Sequence, residues 1–273
     1  MTISQLGNVP AAAPPAAVRA RDLIRSEWTK LRSVRANLWT LLVAALVTIG
    51  LTVVVAHTIA AAPAPSRRGP ITPLIESFLG YAEYTVLPVS ILGVLTFTSE
   101  YSTGLIRTTL VAVPRRWALL AAKAAVAGAA ALAAGEVLAF ALFFLTQGLQ
   151  SGDRRGRLSI AHPGVPGAVV AAGFLLPACV LTGLGLGAIL RHTAGAIAAT
   201  VGVIYLLAAL CLLLPATWKD DIGRFTLPFA AYQVISGHPQ PHLFGPAASV
   251  VVLIAWPAVT LAAAVIVMSR RDV

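Results

Sequence analysis

Six stretches of this chain are apolar over the length of a lipid bilayer, at about 38–62, 78–98, 118–147, 166–190, 195–216 and 247–268. A crossing helix needs about 20 mostly apolar residues, each rising about 1.5 Å. The pattern predicts an all-α fold, a polytopic membrane protein with six transmembrane helices. Composition agrees: 58% of the 273 residues are hydrophobic and 11% charged, against about 25% charged in soluble domains. An ordinary soluble globule is excluded. Tyr81, Glu83, Tyr84 and Pro88 dilute the second run, and the third is long enough to tilt or to project beyond the lipid.

The net charge of +10 does not point to nucleic acid, because the basic residues fall in short patches between apolar runs. They report topology instead. With both termini on one side, thirteen Lys and Arg lie there, among them Arg25, Arg116, Lys123 and Arg191, and seven lie opposite. The positive-inside rule then puts both termini in the cytoplasm, with the chain in the plasma membrane. Ala60, Ala61 and Ala62 resemble a signal-peptidase site, but the run before them exceeds a signal core and reads as an uncleaved anchor.

The segments between the runs carry their own signals. Residues 1–17 are rich in Pro and Ala and read as a disordered tail ahead of a single domain over 18–273. Leu23, Ile24, Trp28 and Leu31 then form an apolar stripe, with Arg21, Arg25, Lys30 and Arg32 mostly off it. That pattern predicts an interfacial helix, its cations near anionic lipid. Residues 99–117 form a polar island between apolar runs, predicting a short helix lying flat at the membrane surface. Ser102 or Thr103 would cap its start, and Glu100 would add negative charge at its positive end. Leu105, Ile106, Thr109 and Leu110 share one side of it, Pro114 stops it, and Arg115, Arg116 and Trp117 mark the return to lipid. Before the last span, the short apolar run 225–235 lies inside a longer polar connection and predicts a re-entrant or interfacial segment.

Two of these segments also carry a family resemblance. Glu100, Tyr101 and Gly104, then Arg107 and Thr108, then Pro114 and Arg115 resemble the coupling-helix loop of permease subunits of type-2 ABC exporters. That loop reads roughly E-x-x-x-G-[TL]-[IL]-R…P-x-[RS]. Glu27, Trp28, Lys30 and Arg32, just ahead of the first span, resemble the same family's opening element. The resemblance implies a cytoplasmic coupling helix docking onto a separate ATP-binding subunit, which holds the ATP and Mg. It also implies pairing with a second permease, as homodimer or heterodimer, and export of an amphipathic drug, lipid or peptide-like substrate.

No other site competes strongly with that expectation. Gly-Lys occurs nowhere, so the phosphate loop G-x-x-x-x-G-K-[ST] is absent and the chain is not expected to be an ATPase or to bind a cofactor itself. Gly183, Gly185 and Gly187 look superficially like a nucleotide fingerprint, but they lie in an apolar run with small-x-x-x-small spacing, which predicts close helix packing. No metalloprotease or serine-hydrolase motif occurs. Cys179 and Cys211 sit in apolar runs as small buried hydrophobes. Glu136 lies deep in the third span, where a charge costs at least about 2.5 kcal/mol. It is either a hydrogen-bonded or protonated helix contact, or, with Glu83 and Tyr84, part of a polar substrate path. A proton-coupled carrier using Glu136 and a non-transporting anchor or sensor are the competing functions.

Overall fold

The computed structural model describes residues 19–61, 78, 85–105, 115–149, 158–236 and 242–270. Among them the chain is helical and contains no strand. α1 covers Ala20–Ser33, α2 Arg35–Ala61, α3 Val86–Ser102, α4 Arg116–Leu149 and α5 Val165–Leu190. α6 runs over Thr193–Leu212, with a π-helical turn at Gly202–Leu206. Two short helices follow, α7 at Ala216–Gly223 and α8 at Leu227–Ile235, before α9 at Pro246–Arg270.

Among the described residues, five helices are long and apolar enough to cross a membrane: α2, α4, α5, α6 and α9. This is one fewer than the six runs of the sequence. α3 has 17 described helical residues, about 25 Å at the usual rise, and residues 79–84 of the second predicted run lie outside the described residues. The predicted tail at 1–17 also lies outside them.

α5 is the hub: 72% of its apolar stretch is buried, against 17% for α2. It packs against α3, α4, α6, α8 and α9. Lipid offers no hydrophobic drive between helices, so close backbone approach must supply the attraction, and that requires small residues. A Cβ on Gly93 of α3 would lie 2.2 Å from the Val180 carbonyl oxygen of α5, and one on Gly183 would lie 2.4 Å from that of Ser90 on α3. Gly185, between Gly183 and Gly187, faces the other way, onto Thr260 of α9. The three glycines of the pseudo-fingerprint thus seat two neighbours at once. Their role is helix packing.

Cross-links fix the ends. Arg116 Nη1 at the start of α4 donates to the Met268 carbonyl at the end of α9 over 2.8 Å. At the opposite end, Trp256 Nε1 donates to the Phe225 carbonyl over 2.8 Å. Trp256 lies ten residues into α9, or about 15 Å along its axis, so the α7–α8 junction sits well below the first turn of α9.

Candidate functional site: a buried four-residue ion cluster

α1 is amphipathic, as its sequence predicts. Leu23 and Glu27 face the protein and are buried, whereas Ile24 and Trp28 are 45% and 44% exposed, which leaves them on the side an interfacial helix turns to lipid. Charge holds the inward face. Glu27 Oε2 accepts from Lys123 Nζ of α4 over 2.7 Å, and Glu27 Oε1 accepts from Lys30 Nζ over 2.7 Å. Turning Trp28 inward would carry that carboxylate away from the only buried lysine among the described residues.

The end of α3 departs from its predicted form. Ser102 and Thr103 finish α3, their hydroxyls donating back to the Ser99 carbonyl over 3.0 and 2.8 Å; the flat helix they are expected to cap falls largely among residues 106–114, outside the described residues. The same hydroxyl serves either end of a helix, capping the start or bonding back three or four residues at the finish. Gly104 follows at φ 71, the left-handed conformation that ends helices and that glycine adopts without a Cβ clash. Glu100 therefore lies in the last turns of α3 and not at a positive helix end. It is 6% exposed, so it does not offer its charge to a soluble surface.

Glu100 faces inward, where its Oε1 accepts from Lys123 Nζ over 2.6 Å and from Lys30 Nζ over 2.9 Å. Lys123 is 1% exposed. Its ammonium spends its three protons on Glu27, Glu100 and, more weakly, the Thr96 carbonyl at 3.5 Å. Two carboxylates and two ammoniums make the cluster neutral, which is the condition for burying charge at a membrane boundary. Burial alone would lower the Lys30 pKa, but its hydrogen bonds to Glu100 and Glu27 outweigh that and hold it above the ordinary lysine value of 10.5. Its contribution is thus complete below that value and is lost only as pH rises beyond it.

The cluster joins three elements far apart in sequence: α1, the last turns of α3 and the first turns of α4. The segment between the latter two, residues 106–114, lies outside the described residues, so Arg107, Thr108 and Pro114 do too. Arg115 at its exit is exposed. Tyr101, next to Glu100, packs on the core through Phe97, ring centroids 5.5 Å apart. The guanidinium of Arg191, in the α5–α6 turn, lies 5.4 Å from the Tyr101 ring centroid. Arg191 holds φ 55, a left-handed geometry costly for a residue with a Cβ.

Of the residues singled out in sequence, the structure gathers Glu27, Lys30, Glu100 and Tyr101. Trp28 and Arg32 face outward, and Glu83 and Tyr84 lie outside the described residues. In the sequence Lys123 and Arg191 read only as topological charge. A signal for Lys123 was present: a lone cation within an alanine-rich apolar run, with carboxylates at two other membrane boundaries to neutralise it.

Glu136 belongs to a different place. It is half-buried at the α4–α5 crossing, where a Cβ on Gly173 would come within 2.5 Å of its carboxyl carbon. Gly173 is the notch that admits the carboxyl. Among the described residues no hydrogen-bond partner reaches it, and no group of three or more potential metal ligands forms.

No family model, curated protein or solved structure matches the chain.

Proposed function

We propose that this chain is the transmembrane permease subunit of a type-2 ABC exporter. Two copies, or one copy and a related permease, would enclose the path, and each would present residues 99–117 to an ATP-binding subunit holding ATP and Mg. The substrate is an amphipathic drug, lipid or peptide-like molecule moved outward from the cytoplasm or inner leaflet. On this reading both termini and the ion cluster lie on the cytoplasmic side of the plasma membrane, and α7 and α8 dip into the outer leaflet.

One observation carries the reading. The buried ion cluster binds the two ends of the 103–115 segment to α1, through Glu100 on one side and Lys123 on the other. A loop that merely connects two spans has no need of such a clamp. A loop that must pass force from a soluble partner into spans does, because push on a flexible tether is lost as local motion. The test is reconstitution: the chain with its ATP-binding subunit in proteoliposomes should drive ATP-dependent efflux of an amphipathic dye. A well-incorporated complex that hydrolyses ATP without moving any amphiphile would refute it.

A proton-coupled carrier remains the second reading, favoured only by the unpartnered carboxyl of Glu136 beside Gly173.

A further inference from the structure

At the end of the bundle opposite the ion cluster, two cavities share a wall. The first, about 520 Å³, is lined by apolar and aromatic side chains of α5, α6 and α8, including Leu175, Ile204, Tyr205, Ala208, Phe229 and Tyr232. No Lys, Arg, Asp or Glu lines it among the described residues. The second, about 490 Å³, is bounded by Pro228, Phe229 and Tyr232 on the shared side and by Lys219, Asp220 and His242 on the other. The volumes lie within the range of small-molecule sites, about 300–1,000 Å³.

Local structure explains the apolar lobe. The π turn at Gly202–Leu206 inserts extra backbone into α6, and such turns re-aim side chains. Here it directs Ile204 and Tyr205 at the cavity. α8 closes the opposite side, held at depth by the bond from Trp256 to the Phe225 carbonyl. In the polar lobe, the neighbouring Asp221 is paired with Arg224 at 3.3 Å, whereas Lys219 and Asp220 have no ion-pair partner among the described residues. A cation and an anion consecutive on α7 therefore both line the polar lobe, half-buried and without an ion-pair partner among the described residues.

We propose that this two-lobed cavity binds a zwitterionic amphiphile of the lysophospholipid class. Its acyl chain fills the apolar lobe, its phosphate meets Lys219 and His242, and its ammonium meets Asp220. A neutral lipid leaves both charges unsatisfied, and an anionic one places uncompensated charge beside Asp220. The aromatic wall of Phe229 and Tyr232 separates chain from head.

The proposal deepens the transport reading by naming a substrate class. Its test uses the chain alone, without nucleotide or partner, so either idea can fail while the other stands. The purified full chain in nanodiscs is exposed to lysophosphatidylcholine carrying a diazirine on its acyl chain, and crosslinked peptides are mapped. Labelling should be saturable, displaced by unlabelled lysophosphatidylcholine, and concentrated in 204–212 and 227–236. Ala208→Trp should abolish it by filling the apolar lobe. Ala208→Leu, a milder filling, should reduce it, and it serves if the tryptophan variant fails to fold. Lys219→Gln should weaken lysophosphatidylcholine binding about fivefold, the value of a partly exposed charge contact, while leaving monoacylglycerol of the same chain unchanged. Labelling spread evenly over α2, indifference to Ala208→Leu, or equal affinity for monoacylglycerol would overturn the proposal. Tighter binding of lysophosphatidate would overturn the role of Asp220.

Discussion

Replacing Lys123 by Met tests whether the cluster is a structural clamp, because the geometry sets different costs for its two lysines. The methionine keeps the length and apolar stem of lysine but leaves Glu27 and Glu100, 4% and 6% exposed, with only Lys30 between them. One uncompensated negative charge then stays buried, which costs about 3–5 kcal/mol. Lys30→Met also leaves two buried carboxylates to one lysine, but the Lys30 side chain is 45% exposed, so water reaches the vacated side and the cost should be smaller, about 1–3 kcal/mol. The double variant Lys123→Met, Glu100→Gln restores neutrality through the remaining Glu27–Lys30 pair. It should recover more than half of the loss, since neutral replacement of a buried pair is close to balanced. The assay is denaturant unfolding of the purified chain in mixed micelles, followed by tryptophan fluorescence, with the coupling energy taken from the full double-mutant cycle. No recovery in the double variant, or a coupling energy near zero, would show that the charges do not act as one unit.

Other outcomes follow from the packing and topology. Gly93→Ala and Gly183→Ala should each cost about 1–3 kcal/mol by overpacking, because each added Cβ meets a backbone oxygen within 2.4 Å. Gly50→Ala, with nothing within 4 Å, should be neutral or stabilising in the same melts. Cysteines introduced at 66–70 and 153–157 should react with an impermeant thiol reagent in intact cells, and one at 108–113 only after permeabilisation; labelling of all three from outside would overturn the orientation. Glu136→Gln should leave stability and transport intact if the carboxyl only fills the Gly173 notch, whereas a stable variant without transport would establish a proton or substrate role.

What was legible in the sequence was whatever depends on runs of residues. The membrane-crossing helices follow from apolar length, α1 and α8 from short patterned stretches, and the seating of α5 from the spacing of Gly183 and Gly187. Direction was harder to read. Ser102 and Thr103 suit either end of a helix, and only the continuation of α3 through Glu100 decides that they finish one. The inward face of α1 was hidden for a related reason. Apolar periodicity marks the stripe with Trp28, but the contact to the bundle is made through Glu27, by a buried lysine 96 positions away in sequence. Such long-range ion pairs leave no periodic trace, and Lys123 itself resembles an ordinary boundary charge. The π turn in α6 and the cavity beside it have no sequence signature at all.

The most direct measurement is native mass spectrometry of the chain purified gently from its own membrane. The expected species contains two permease chains, at least one of them this 28.3 kDa chain, and two copies of a protein carrying the phosphate loop, separating only at high collision energy. Lys123→Met, Glu100→Gln should keep the permease folded while loosening that assembly. A chain that emerges alone, or with partners lacking any nucleotide-binding loop, would contradict the assignment to an ABC exporter.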